Sequence, residues 1–70
     1  MRRFVDWLEV ARTTDDPAGD FVKDARDDGF FPDPHHLLDL VSYLHSRGAC
    51  EGAVEAAKVA WGRYERWKQR

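Results

Sequence analysis

A second cysteine, an apolar run of membrane length and a stretch of alternating apolar and polar residues are all missing from this 70-residue sequence. With Cys50 alone no intramolecular disulfide can form, and a lone thiol of this kind fits a reducing compartment. No segment approaches the roughly 18 apolar residues that cross a bilayer. The start Met-Arg-Arg-Phe reaches Asp6 too soon to leave space for the apolar core of a signal peptide. A cytoplasmic protein, beginning at Met1 and without membrane contact, is therefore expected. The missing period-two alternation predicts a chain without strands.

Reactive chemistry is equally sparse. Neither a glycine-rich phosphate loop nor a dinucleotide fingerprint occurs. His36 and His45 lie nine residues apart, about 180° around an ideal helix, so they face opposite ways. His35 diverges from its neighbour His36, and no second cysteine completes a metal site. Ser42, Ser46, His45 and Cys50 are the only ingredients for nucleophilic catalysis. Ser46 adjoins His45, and adjacent residues on a helix do not face each other. Cys50 opens the apolar face of the last helix, which predicts a buried and inert thiol. The expectation is no catalytic residue, no metal, no cofactor and no small-molecule substrate, hence no enzyme.

What the sequence does hold is aromatic mass and charge: 43% hydrophobic residues, 34% charged, three Trp, four Phe and two Tyr. Seventy residues make one domain, spanning 1–70, whose stability should be only a few kcal/mol. Each aromatic ring buries on the order of 150–250 Å², which lets so small a core manage without disulfides.

Helical periodicity runs through the chain. Phe4, Trp7, Leu8 and Ala11 share one face, predicting a helix over about 2–12 that Thr13, Thr14 and Asp15 break. Asp16-Pro17 is a helix start, Asp capping free N–H groups and Pro fitting the first turn. The second helix then runs to about Asp27, with Phe21, Val22 and Ala25 inward and Gly29 as its left-handed terminator. Gly19 would let a neighbouring helix or ring approach closely. Phe30-Phe31-Pro32 reads as an apolar plug. Asp33-Pro34 repeats the start signal for a third, central helix carrying Leu37, Leu38, Leu40, Val41, Tyr43 and Leu44, which Gly48 stops. A fourth runs from about Cys50 to near the end, with Val54, Ala57, Trp61 and Tyr64 on one face. The predicted core is Phe4, Trp7, Leu8, Phe21, Phe31, Leu37, Val41, Leu44, Val54, Trp61 and Tyr64.

The ordered anchors are Phe4-x-x-Trp7-Leu8, Asp16-Pro17-x-Gly19-Asp20-Phe21-x-x-Asp24, Phe31-Pro32, Tyr43-Leu44 and Trp61-x-x-Tyr64. In that order they resemble the YozE-like family of short bacterial proteins. The resemblance implies an all-α architecture, a compact four-helix SAM-like bundle, and by fold analogy a binding module rather than a catalyst. Ala18, the Asp27-Asp28-Gly29-Phe30 connector and extra basic residues in the last helix depart from the pattern.

Charge is unevenly spread. Residues 15–39 hold eight Asp against Lys23 and Arg26, a net of −6, whereas residues 58–70 carry a net of +4. Asp20, Asp24 and Asp27 form an acidic stripe on the second helix. It could dock a basic partner or weakly hold a divalent cation, although cation sites usually draw their oxygen ligands from a loop; the plainer alternative is a solvated face favoured by the helix dipole. Arg63, Arg66 and Arg70 form a basic stripe on the last helix, with Trp67 beside it. That pattern suits an acidic protein surface or a nucleic-acid backbone; the plainer alternative is cations at a helix C-terminus. The expected function is an interaction module that binds protein partners, itself included, through these charged faces. Nucleic-acid binding through the last helix is the alternative.

Overall fold

A computed structural model describes residues 2–70, and it consists of four helices. They are α1 (Phe4–Val10), α2 (Pro17–Asp27), α3 (Leu37–Ser46) and α4 (Glu51–Lys68). No strand occurs among the described residues, and no helix is long and apolar enough to cross a membrane.

Local chemistry sets the helix ends. The Asp16 carboxylate accepts the Gly19 N–H at 2.7 Å, capping α2 as its Asp-Pro start predicts. Gly48, at φ 71°, turns the chain out of α3 as foreseen. Gly29 does not play that part, because α2 closes at Asp28, whose backbone is extended, and Asp28 accepts the Phe30 N–H instead. The start of α3 also differs. Asp33-Pro34 lies ahead of the helix, and Asp39 accepts the N–H groups of His35 and His36 from inside its first turn. Asp33 pairs with Arg3 at 3.3 Å.

At seven residues, α1 is shorter than the 2–12 span expected and too short to persist alone. It lacks a basic residue in its last turn. Arg26 supplies one from α2, donating to the carbonyl oxygens of Leu8 at 2.9 Å and Ala11 at 2.6 Å. A tertiary contact thus closes this helix end, which neighbours in sequence leave open.

The core forms around Phe4, which is fully buried. Its ring packs against Trp7, Phe21, Phe31, Trp61 and Tyr64, with centroids 4.9–6.4 Å apart. The predicted core residues are buried except Phe31, Leu37 and Val41, which pack half-buried against its edge. Small residues complete it: Ala18, Ala25, Ala56, Ala57 and Ala60 are buried too. Small side chains let helices approach closely, and Ala57 and Ala60 of α4 are fully buried.

Two expectations about packing are corrected. The central helix is α4, which packs on α1, α2 and α3, whereas α3 packs on α4 alone. Leu38 accordingly faces solvent at 77% exposure, because α3 needs only the narrow stripe of Leu37, Leu40, Val41 and Leu44. The Phe30-Phe31 plug is half right. Phe31 packs inward, while Phe30 is 87% exposed.

Candidate functional site

The last turns of α4 run beside the end of α1, leaving a groove between them. Arg63, Arg66 and Trp67 fall on one α4 face by helical spacing, and Arg70, just past the helix end, completes that wall. Trp7, Val10, Ala11 and Arg12 form the other. The cavity is about 480 Å³, and no Asp or Glu side chain lines it. Trp7 is buried and forms the floor, Trp67 is half-buried, and Val10 is 66% exposed.

The four guanidiniums are held differently. Arg63 reaches the Asp16 carboxylate at 3.1 Å and the Thr14 hydroxyl at 3.1 Å. It therefore fastens α4 to the α2 cap as well as facing the groove. Arg12, Arg66 and Arg70 make no side-chain ion pair or hydrogen bond among the described residues. Behind the wall, the Arg2 guanidinium lies 5.3 Å from the Trp67 ring centroid. It donates to the carbonyl oxygens of Trp67 at 2.9 Å and Arg70 at 2.6 Å, fixing the end of α4. The wall is thus braced and its outer cations are unneutralised.

Asp16 is the one strongly shifted acid here. Hydrogen bonds from the Thr14 hydroxyl, the Gly19 N–H and Arg63 lower its carboxyl to about 2. The cap is an anion at any ordinary pH.

The structure brings the basic-stripe residues Arg63, Arg66, Trp67 and Arg70 together as expected, and adds Arg12 and Trp7, which sequence reasoning missed. Arg12 follows the apolar stripe of α1 and belongs to no charge pattern of its own. Only the crossing of α1 and α4 places it opposite Arg66.

The acidic residues Asp20, Asp24 and Asp27 are exposed on α2, and no ion pair joins them to a cation among the described residues. Asp20 and Asp24 border a shallow depression with Pro17, Phe21, Gly52, Ala53 and Ala56; Asp27 stands outside it. The acidic and basic stripes do not close on each other, since Arg63 turns to Asp16 instead. Cys50 corrects another expectation. It stands just before α4 as its N-cap and is exposed.

Such a groove presents fixed positive charge beside two indole rings, a surface complementary to anions attached to apolar or aromatic groups. Comparison with curated proteins and with solved structures brings up no match. The model of one family, described as the YozE SAM-like fold, matches residues 4–66. Nearly the whole of the four-helix bundle lies within that match, and the chain belongs to the YozE SAM-like fold family.

Proposed function

We propose that this protein is a non-catalytic interaction module of the cytoplasm, which grips an acidic segment of a partner protein in the arginine groove. The supporting observation is the lining: Arg12, Arg63, Arg66 and Arg70 around two tryptophans, with no Asp or Glu side chain among them. Carboxylates of a bound segment would pair with the unneutralised guanidiniums, and an aromatic or aliphatic residue would lie over Trp7 and Trp67. Arginine suits this task because its planar fork binds a carboxylate through two parallel hydrogen bonds.

The test uses the tryptophans as reporters. Intrinsic fluorescence is titrated with an acidic peptide containing a central Phe, and with the same peptide after Glu is replaced by Gln. Binding of the acidic peptide alone, weakening with salt and lost in Arg66→Glu, supports the reading. Equal binding of both peptides overturns it.

Self-association is one form of the same reading, with the Asp20/Asp24/Asp27 stripe of a second copy as the acidic segment. Asp20, Asp24, Asp27, Arg66 and Arg70 form no ion pair among the described residues, which favours it, although Arg63 is already tied to Asp16. Sedimentation over a concentration series at low and high salt decides, because such a contact is heterologous and builds open chains.

A nucleic acid is the second reading, favoured by Trp67 standing between Arg66 and Arg70 on an open wall. Bases would stack on the indole while phosphates meet the guanidiniums. The net charge of −2 weighs against it. A gel shift with single-stranded oligonucleotides that fails at micromolar protein in low salt removes it.

A further inference from the structure

A second hollow lies where α2 crosses α4, and it touches the arginine groove through the Asp16–Arg63 pair. Two adjoining cavities, of about 390 and about 220 Å³, share Pro17, Gly52 and Ala56 and form one groove. Its apolar surface is completed by Ala18, Phe21 and Val59, and Val59 is 52% exposed although it belongs to an otherwise well-packed helix. Asp16, Asp20 and Asp24 stand on one bank and Glu55 on the other; Asp16 is already paired with Arg63, and no Lys or Arg lines either cavity. Glu55 has only an exposed contact to Lys58 at 3.8 Å, too weak to neutralise it.

We propose that this groove docks a short amphipathic helix of a partner protein, with one apolar ridge and Lys or Arg along both flanks. Three features point to that occupant. The groove lies between two helices and is floored by small residues, so a third helix can approach closely with its ridge between them. From Gly52 to Val59 the α4 bank rises about 10 Å, which fits about two turns of an occupant. The carboxylates on both banks select cations on both flanks. A second copy of this chain offers charge to the acidic bank but no apolar ridge, because its Arg66 and Arg70 surround a hollow, so it would leave the apolar floor uncovered. This site shares no lining residue with the arginine groove, although its Asp16 pairs with Arg63 of that groove, and the module would then bridge an acidic segment and a basic helix.

The test is a selection from a displayed library of three-turn helical peptides, whose ridge is varied among Ala, Leu and Val and whose flanks are varied among Lys, Glu and Ser. The expected binders carry Lys on both flanks and shift the backbone amide resonances of Ala53, Ala56 and Val59. Val59→Arg, a change at an exposed helical position, should weaken them about tenfold or more, as loss of a central interface contact does. Gly52→Leu, which fills the groove, should act in the same direction while leaving the melt intact. Arg66→Glu should leave these binders unaffected, so failure of the arginine groove and failure of this site are read separately. The proposal is overturned if no binder emerges or if Lys is not enriched. It is equally overturned if Val59→Arg binds as tightly as the parent, or if Arg66→Glu abolishes binding.

Discussion

The Arg63 guanidinium meets the Asp16 carboxylate at 3.1 Å, so one ion pair joins the C-terminal helix to the N-terminal cap of α2. Asp16 also accepts from Thr14 at 2.6 Å and from the Gly19 N–H at 2.7 Å. These bonds favour the charged form, which is why its carboxyl titrates near 2. A carboxyl with a lowered folded-state value contributes stability that is fully present above its unfolded value of about 4, and loses it as pH falls through the folded value. Melting temperature should therefore decline between about pH 4 and pH 2, and Asp16→Asn should flatten that decline while lowering the plateau above it. Thermal melts followed by circular dichroism across this range check both parts.

Gly19 and Gly62 predict opposite outcomes for the same substitution. A Cβ on Gly19 would stand 1.8 Å from the Thr14 carbonyl oxygen and 2.5 Å from its amide nitrogen, both backbone atoms that cannot step aside. Gly19→Ala should destabilise by on the order of 2 kcal/mol, the scale of an overpacked site. At Gly62 an added Cβ meets nothing within 4 Å, so Ala should stabilise the helix by about 1 kcal/mol. Urea titration of the two variants measures both signs. If Gly19→Ala were neutral, the tight approach of the 13–15 turn to α2 would be disproved.

Most of this architecture is legible in the sequence, for local reasons. The Asp16-Pro17 cap, the Gly48 stop and the three-residue spacings of Phe4 to Trp7 and Trp61 to Tyr64 are interactions between neighbours, which sequence displays directly. Features that depend on a crossing of helices were not legible. The Asp33-Pro34 signal looked like a helix start, but Asp39 does the capping from inside the next helix. Leu38 is apolar yet faces solvent because α3 meets one helix only. In the candidate site the same division holds: the α4 stripe was visible as a pattern, whereas Arg12 and Trp7 joined it through tertiary packing.

Phe4 and Phe30 separate aromatic mass that holds the fold from aromatic mass that does not. Phe4 is fully buried among Trp7, Phe21, Phe31, Trp61 and Tyr64, and Phe30 is 87% exposed. Phe4→Ala should cost about 3–5 kcal/mol, enough to unfold a domain whose whole stability is of that order. Phe30→Ala should stay within about 0.5 kcal/mol of the parent. Circular dichroism and urea midpoints distinguish the two, and equal losses would mean that Phe30 is not the solvent-facing member of the pair.

Cys50 offers a direct probe of the α3–α4 junction. It stands exposed ahead of α4. A chromogenic thiol reagent should therefore modify one equivalent in the native protein, at a rate close to that in denaturant, without lowering the melting temperature. Protection of the native thiol would place this junction inside the fold.

Arg63 and Arg66 lie one turn apart in the same groove, yet they should answer mutation differently. Arg63 holds Asp16 and Thr14, so Arg63→Gln removes the tie between α4 and the α2 cap and should lower the melting temperature. Arg66 has no such contact among the described residues. Arg66→Gln should keep the parent melt and lose affinity for an acidic ligand, with a weaker dependence of binding on salt. Melting and peptide titration of the same two proteins give the comparison. Parent-like melting of Arg63→Gln would deny its structural part, and undiminished binding by Arg66→Gln would deny that the groove's unpaired cations do the gripping.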